Sequence, residues 1–285
     1  MGNINTDNNW VDKKYPVKQF KVANQVISYR EAGSANNDKP VMAVLHGIGS
    51  GSGSWIHIMS QFEGQYRIIA WDAPGYNLSA ALEEDKPDAS SYAQKLNQFL
   101  NGLGVIPQIV IGHSLGAMIA GAYAAVFNPK LAVLILANPA NGYGKATPQE
   151  RSEKLLHRLK MIRDLGPDGM AEERSQNLLS SNATAEALEL VKWNMRKVTV
   201  RGYEQACHTL SDGSLIDDAL NYDGQVFVIC GDEDQVTPVP ACQKVANAYN
   251  DAPFRILKGL GHATYVEGPE KFNNVIAEFL EGMGG

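Results

Sequence analysis

Six short apolar runs recur along the chain, at Val41–Leu45, Ile68–Trp71, Ile109–Ile111, Val133–Ala137, Val226–Cys230 and Phe254–Leu257, each bounded by turn residues. Runs this short, apolar at every position except Arg255, read as buried strands. Helical stretches lie between them, among them Ser91–Leu100, Ala117–Phe127 and Cys242–Tyr249. In the last helical stretch Phe272, Val275, Ile276, Phe279 and Leu280 follow the i, i+3, i+4, i+7, i+8 spacing of a helix with one apolar face. Strands alternating with helices in this way admit few architectures. The expectation is an α/β fold, a mostly parallel sheet with helices on both faces.

The alternation breaks once, between Asn138 and Asn221, where helical patterns dominate. Leu155, Leu156, Leu159 and Ile162 make one stripe, and Ala187, Leu188, Val191 and Met195 another. A helical insertion over residues 138–221 between two sheet strands is therefore expected, with 1–137 and 222–285 forming one core. Such an insertion would lie outside the carboxyl ends of the strands, where open α/β sheets bind ligands.

Composition excludes several classes. With 44% hydrophobic and 20% charged residues the 285-residue chain is an ordinary globular sequence. Its longest apolar run, Ala117–Phe127, falls well short of the roughly 18 to 20 residues of a bilayer span. A net charge of −6 without a local Lys/Arg cluster gives no footprint for nucleic acid. Cys207, Cys230 and Cys242 are too few and too irregular for a disulfide framework or a CxxC site, which fits a reducing, cytoplasmic setting. The opening MGNINTDNNWVDKKYP has no apolar core and reads as a polar tail, not a signal peptide. The Gly/Ser run Gly49–Ser54 has neither GxxxxGK[ST] nor GxGxxG spacing, and no HExxH-like ligand set exists. Neither a cofactor nor a metal is expected, and the expected partner is a small-molecule substrate.

Chemistry concentrates at Gly112-His113-Ser114-Leu115-Gly116, between the strand Ile109–Ile111 and the helix from Ala117. That is the strand, turn, helix context of a nucleophile elbow, in which glycines make room for a tight reversal and the serine is exposed above the sheet. A serine hydroxyl needs a base to take its proton and an acid to orient that base. Both have candidates on loops after later strands: Gly231-Asp232-Glu233-Asp234 follows Val226–Cys230, and Gly261-His262 follows Phe254–Leu257.

The chain resembles the α/β-hydrolase superfamily, in its serine-nucleophile branch with a helical cap. The resemblance runs from about Val22 to the end and rests on five motifs in order: Leu45-His46-Gly47-Ile48-Gly49, Asp72-Ala73-Pro74-Gly75-Tyr76-Asn77-Leu78-Ser79, the Ser114 elbow, Gly231–Pro238 and Gly261-His262. It implies Ser114 as nucleophile, Asp234 as orienting acid and His262 as general base. The family spacing of a Gly, two residues and an Asp selects Asp234 over Asp232 and Glu233. Some relatives carry the acid after the preceding strand, where this chain has Asn138. The oxyanion hole is implied to be the backbone N–H of Leu115 and, after the His-Gly-x-Gly loop, of Ile48. The family's usual Gly is replaced by Asn77, which tolerates the left-handed backbone of such a turn.

The implied activity is hydrolysis of a small carboxylic ester, thioester or lactone through an acyl-enzyme. Two alternatives stand beside it. One is a carbon–carbon bond or enol-lactone hydrolase of an aromatic degradation pathway, although Gly-His-Ser-Leu-Gly-Ala and Ala263 depart from that branch. The other is a ligand receptor on a hydrolase fold. An Asp nucleophile, as dehalogenases and epoxide hydrolases need, is absent from the elbow. His46 and His113 are implied to be structural, and His57 and His157 surface or packing residues. Trp193, Met161 and His208 are the candidates for lining a substrate pocket, with Met170 and Met195 as further apolar side chains. Five helical arginines, Arg158, Arg163, Arg174, Arg196 and Arg201, are available to bind a substrate carboxylate, and nothing in the sequence distinguishes them.

Overall fold

A computed structural model describes residues 9–33, 39–128 and 130–283. Eight strands form one sheet: β1 (Lys18–Val22), β2 (Gln25–Ala32), β3 (Val41–Leu45), β4 (Arg67–Trp71), β5 (Ile109–His113), β6 (Val133–Ala137), β7 (Gln225–Gly231) and β8 (Phe254–Leu257). Their spatial order is β1-β2-β4-β3-β5-β6-β7-β8. From β4 to β8 every pairing is parallel, and the β1–β2 and β2–β4 pairings are antiparallel. The helices are α1 (Asn9–Lys14), α2 (Ile56–Phe62), α3 (Ala89–Gly102), α4 (Leu115–Val126), α5 (Pro148–Arg174), α6 (Ala185–Met195), α7 (Val200–Asp212), α8 (Leu215–Asp218), α9 (Val239–Ala248), α10 (Thr264–Glu267) and α11 (Pro269–Gly282).

All six strands expected from apolar runs are present. Strand periodicity explains why five of them had to be apolar throughout: along β3, Val41, Ala43 and Leu45 enter the core beneath α3 and α4, while Met42 and Val44 enter the core beneath α2 and α11. The sixth, β8, is an edge instead of a strand buried on both faces, and leaves Arg255 and Ile256 exposed. On α11, Phe272 and Ile276 are fully buried and Phe279 stacks on Phe227 of β7 at 4.5 Å. The hairpin β1–β2 escaped the search for apolar runs because it is an edge: Lys18–Val22 alternates exposed and inward residues, and a two-residue turn with Ala23 at φ 53° closes it.

The expected polar tail also needs correction. Residues 1–8 lie outside the described residues, but Asn9–Lys14 forms α1, with Val11 and Tyr15 buried. Arg30 of β2, itself buried, donates to Asp12 at 2.6 Å and also to the Tyr15 carbonyl. An apolar residue at position 11 and a buried cation waiting for Asp12 dock a segment whose composition alone looks solvated.

Between β6 and β7 the chain makes α5 to α8 and contributes no strand to the sheet. Three of these helices begin with a threonine whose hydroxyl accepts an N–H of the first turn: Thr147 for α5, Thr184 for α6 and Thr199 for α7. Helix α5 bends at Gly166, which has φ 64° and ψ 178° ahead of Pro167, because proline cannot continue the ladder and disfavours helical backbone before it. On its first half Leu159 and Ile162 are buried as the stripe requires, whereas Leu156 is 61% exposed. The short α8 behaves differently from its neighbours, packing against α4, where a side chain at Gly121 would meet Leu215. Among the described residues no helix is long and apolar enough to cross a membrane.

Candidate active site

The end of β5 delivers Ser114 into a sharp turn with φ 52° and ψ −115°, and α4 starts at the next residue. Left-handed backbone costs a non-glycine residue about 1–2 kcal/mol. Three backbone hydrogen bonds hold it: the Ser114 N–H donates to Ala137 at 3.1 Å, and its carbonyl accepts from Ala117 at 3.0 Å and Ala140 at 3.3 Å. The two flanking glycines are sterically required. A Cβ at Gly112 would stand 2.3 Å from the Gly116 carbonyl oxygen, and one at Gly116 would stand 2.3 Å from that of Leu45. Serine at a helix start usually caps the first turn, but this side chain makes no capping bond and faces a cavity instead.

The loop after β7 presents three acids, and only one reaches the histidine. Asp232 accepts from the Gly259 N–H at 2.6 Å and pairs with Lys258, so it braces the neighbouring loop. Glu233 is half-buried and is not among the hydrogen-bond partners of the His262 ring. Asp234 is 2% exposed, and five donors converge on its carboxylate. Oδ1 accepts from the Val236 and Thr237 N–H groups at 2.7 and 2.9 Å. Oδ2 takes His262 Nδ1 at 2.8 Å, Asn138 Nδ2 at 2.8 Å and Thr237 Oγ1 at 2.7 Å. Burial by itself would raise this carboxyl, but the facing imidazole and the converging donors outweigh it and hold the group well below the usual carboxylate range.

Because Nδ1 of His262 points at a carboxylate it carries the proton, and Nε2 is left as the acceptor. Both Ser114 and His262 line the same cavity of about 210 Å³. Glu267 fixes the histidine loop by accepting from the Gly261 N–H at 2.8 Å and from both the N–H and hydroxyl of Ser180 in the helical segment. Contact there is so close that a Cβ on Gly261 would lie 2.5 Å from the Leu179 carbonyl carbon.

Neither Ile48 nor Leu115 has an acceptor for its backbone N–H among the described residues. Leu115 opens α4, so its N–H also lies at the positive end of the helix dipole. The Ile48 loop is anchored from below. His46, kept neutral mainly by burial, spans from the Gly47 carbonyl at 2.8 Å to the Ala73 N–H at 2.9 Å. Asp72 accepts from the Ser52 N–H at 2.8 Å and from Asn77 Nδ2 at 2.9 Å, and Asn77 adopts φ 48°, the left-handed backbone its position demands. His113 donates from Nε2 to the His262 carbonyl at 3.0 Å, and burial, with the neighbouring imidazole, pushes it down to about 3. His157 is exposed and His57 half-buried beside Trp10.

The cavity roof differs from expectation. Met170 and Met195 line it, but Trp193, Met161 and His208 do not. On α6, Val191 and Met195 face the cavity one turn apart, so Trp193 between them points away and packs on Gly53 with the Lys197 ammonium 3.1 Å above its ring. Tyr203 and Leu210 of α7 likewise face inward, leaving His208 on another side of the helix. Met161 belongs to a separate outer hollow with His157 and Glu153. Sequence reasoning also missed the service of Asn138: at φ 44° and fully buried, it donates to Asp234 and accepts from Thr264 Oγ1 at 2.7 Å. Its left-handed backbone gave no sequence signal beyond asparagine itself. No group of three metal-ligating side chains occurs among the described residues.

Comparison with known proteins agrees with this fold in kind. The family model described as alpha/beta hydrolase fold matches residues 40–269. The chain is 27% identical to a putative carbamate hydrolase RutD of Escherichia coli O44:H18, over 86% of this chain and 92% of that one. It is 23% identical to monoacylglycerol lipase abhd6-A of Xenopus laevis, over 94% and 82%. Among solved structures, the enol-lactonase from Burkholderia xenovorans LB400 superposes with a TM-score of 0.81 at 18% identity, over 93% of this chain and 100% of that one. A thermophilic esterase from Thermogutta terrifontis gives 0.80 at 20% identity, over 93% and 98%.

Proposed function

The chain belongs to the alpha/beta hydrolase fold family, and from that membership we propose that it is a serine hydrolase cleaving a small carboxylic ester, thioester or lactone through an acyl-enzyme on Ser114. The observation that carries this reading is the buried Asp234–His262 pair opening onto the same cavity as a serine held in a strained turn.

His262 Nε2 takes the Ser114 proton as Oγ attacks the carbonyl carbon, and Asp234 stabilises the imidazolium that forms. Negative charge moves onto the carbonyl oxygen, where the Leu115 and Ile48 N–H groups stabilise it; removing one such donor typically costs about 10²–10³ in rate. Collapse breaks the bond to the alkoxide or thiolate, which leaves with the proton from His262. Water then enters, gives its proton to the same nitrogen and attacks the acyl carbon, so the carboxylic acid departs and Ser114 recovers its hydrogen. In this reading residues 138–221 are the cap that closes the site, since α5, α6 and α7 supply the cavity wall facing Ser114. Relatives named for carbamate and acylglycerol hydrolysis act on carbonyl carbons bonded to nitrogen or oxygen, a bond class that suits this site.

A fluorophosphonate is expected to label the wild-type protein, and Ser114→Ala to lose both labelling and ester turnover. Turnover undiminished in that variant refutes the mechanism.

A further inference from the structure

Six arginines lie in the helical segment, and the fold sorts them: Arg151, near the start of α5, reaches Asp212 at 3.8 Å. Arg163 and Arg196 pair with Glu204 and Glu172 on the outer surface, and Arg201 reaches Asp85. Arg158 and Arg174 instead line the same cavity as Ser114, and both also border the outer hollow that holds Glu153, His157 and Met161. A straight helix would hold these two about 24 Å apart. The bend at Gly166-Pro167 folds α5 back so that both reach one cavity, which Tyr203 of α7 also lines.

Among the described residues neither guanidinium has an acidic partner. Arg158 donates to the Tyr143 hydroxyl at 2.9 Å and the Lys154 carbonyl at 3.3 Å, and lies over the Tyr143 ring at 5.1 Å. Arg174, half-buried, makes no hydrogen bond or ion pair among the described residues. No Asp or Glu among the described residues lines the cavity, and its remaining wall is largely apolar, with Met170, Leu178, Val191 and Met195. Glu153, in the outer hollow, is engaged with Gln149. The position of Arg174 in the last turn of α5 suits a cation through the helix dipole, but Arg158 sits mid-helix and has no such reason. Two cations with unused donors at the edge of an apolar chamber are suited to meet an anion that enters it.

We propose that the cavity takes a substrate with a carboxylate remote from its scissile carbonyl, such as a hemi-ester or hemi-thioester of an aliphatic dicarboxylic acid, with Arg158 and Arg174 binding that carboxylate. The apolar wall then holds the methylene spacer, and the pair of cations sets which acyl group reaches Ser114. For the reaction this rests on the serine-hydrolase reading; for binding it does not.

The test compares mono-p-nitrophenyl glutarate with p-nitrophenyl butyrate as a ratio of kcat/KM values, so that any general loss of activity cancels. Wild type is expected to prefer the glutarate ester, and Arg158→Met and Arg174→Met each to lower that preference about 10- to 100-fold, the range of charge-assisted hydrogen bonds. Arg174→Lys should recover part of it. No preference in wild type, or a preference unchanged in both variants, overturns the proposal. Calorimetric titration with glutarate needs no chemistry: wild type and Ser114→Ala should bind it and the double Met variant should not. Equal binding by all three, or by none, also overturns it. Turnover surviving in Ser114→Ala would sink the hydrolase reading alone, leaving the glutarate titration to decide the role of the arginines.

Discussion

Replacing Asp234 by Asn separates charge from shape at the most heavily hydrogen-bonded carboxylate of the site. In the wild-type structure two donors meet Oδ1 and three meet Oδ2. A carboxamide puts an NH₂ at one of those places. At the Oδ1 place it opposes the Val236 and Thr237 N–H groups. At the Oδ2 place it opposes Asn138 Nδ2 and His262 Nδ1, while the Thr237 hydroxyl escapes by turning to the Asn138 carbonyl 3.1 Å away. Either orientation strands two buried donors. At roughly 1–3 kcal/mol each, Asp234→Asn should destabilise the protein by about 2–6 kcal/mol near neutral pH. His262 avoids its share only by moving its proton to Nε2, which removes the base, so kcat for an ester should fall about 10³- to 10⁴-fold. Denaturant unfolding and ester kinetics on the same preparations measure both effects. The pH dependence has a definite sign. Asp234 is depressed below its ordinary value of 3.8 in the folded state, so its stabilisation is fully present above that value and is lost as pH falls through the folded one. The stability gap between wild type and variant should therefore close only below about 4. A variant as stable as wild type near neutral pH, or one keeping kcat within tenfold, refutes the reasoning.

Other perturbations test separate parts of the site. Gly261→Ala places a methyl 2.5 Å from the Leu179 carbonyl carbon, so it should displace the His262 loop and lower kcat far more than KM in steady-state assays. Ile162→Ala should cost about 2–5 kcal/mol in denaturant unfolding, while Leu156→Gln on the same helix should change stability by less than about 0.5 kcal/mol. Met195→Ala should shift the preferred acyl chain length in a panel of p-nitrophenyl esters, whereas Trp193→Ala should lower the melting temperature and leave that preference in place.

The parallel half of the sheet was readable because strands buried on both faces must be apolar at every position, as Val133–Ala137 is. The β1–β2 hairpin was not, since Lys18, Gln19 and Lys21 face solvent on an edge strand. The order Ser114, Asp234, His262 was legible from turn chemistry on loops after successive strands; Asp234 and His262 are hydrogen-bonded, and Ser114 and His262 line one cavity. What surrounds them was less so. Asn138 serves the acid through a contact 96 residues distant in sequence, which no local pattern encodes. The stripes predicted which helices occur in 138–221 but not the angle at which each turns toward the cavity, and that angle puts Met195 inside and Trp193 outside. The same limit hid the arginine pair, because helical spacing separates Arg158 from Arg174 until Gly166 bends the helix.

The central claim is that Ser114 carries the acyl group during turnover. Intact-mass measurement of protein quenched during the burst with an activated ester, followed by peptide mapping, reads this directly. The account predicts a transient mass increase of one acyl group on the peptide containing Ser114, absent in Ser114→Ala and long-lived in His262→Ala once formed. Hydrolysis at full rate with no acyl group on that peptide at any quench time would contradict it.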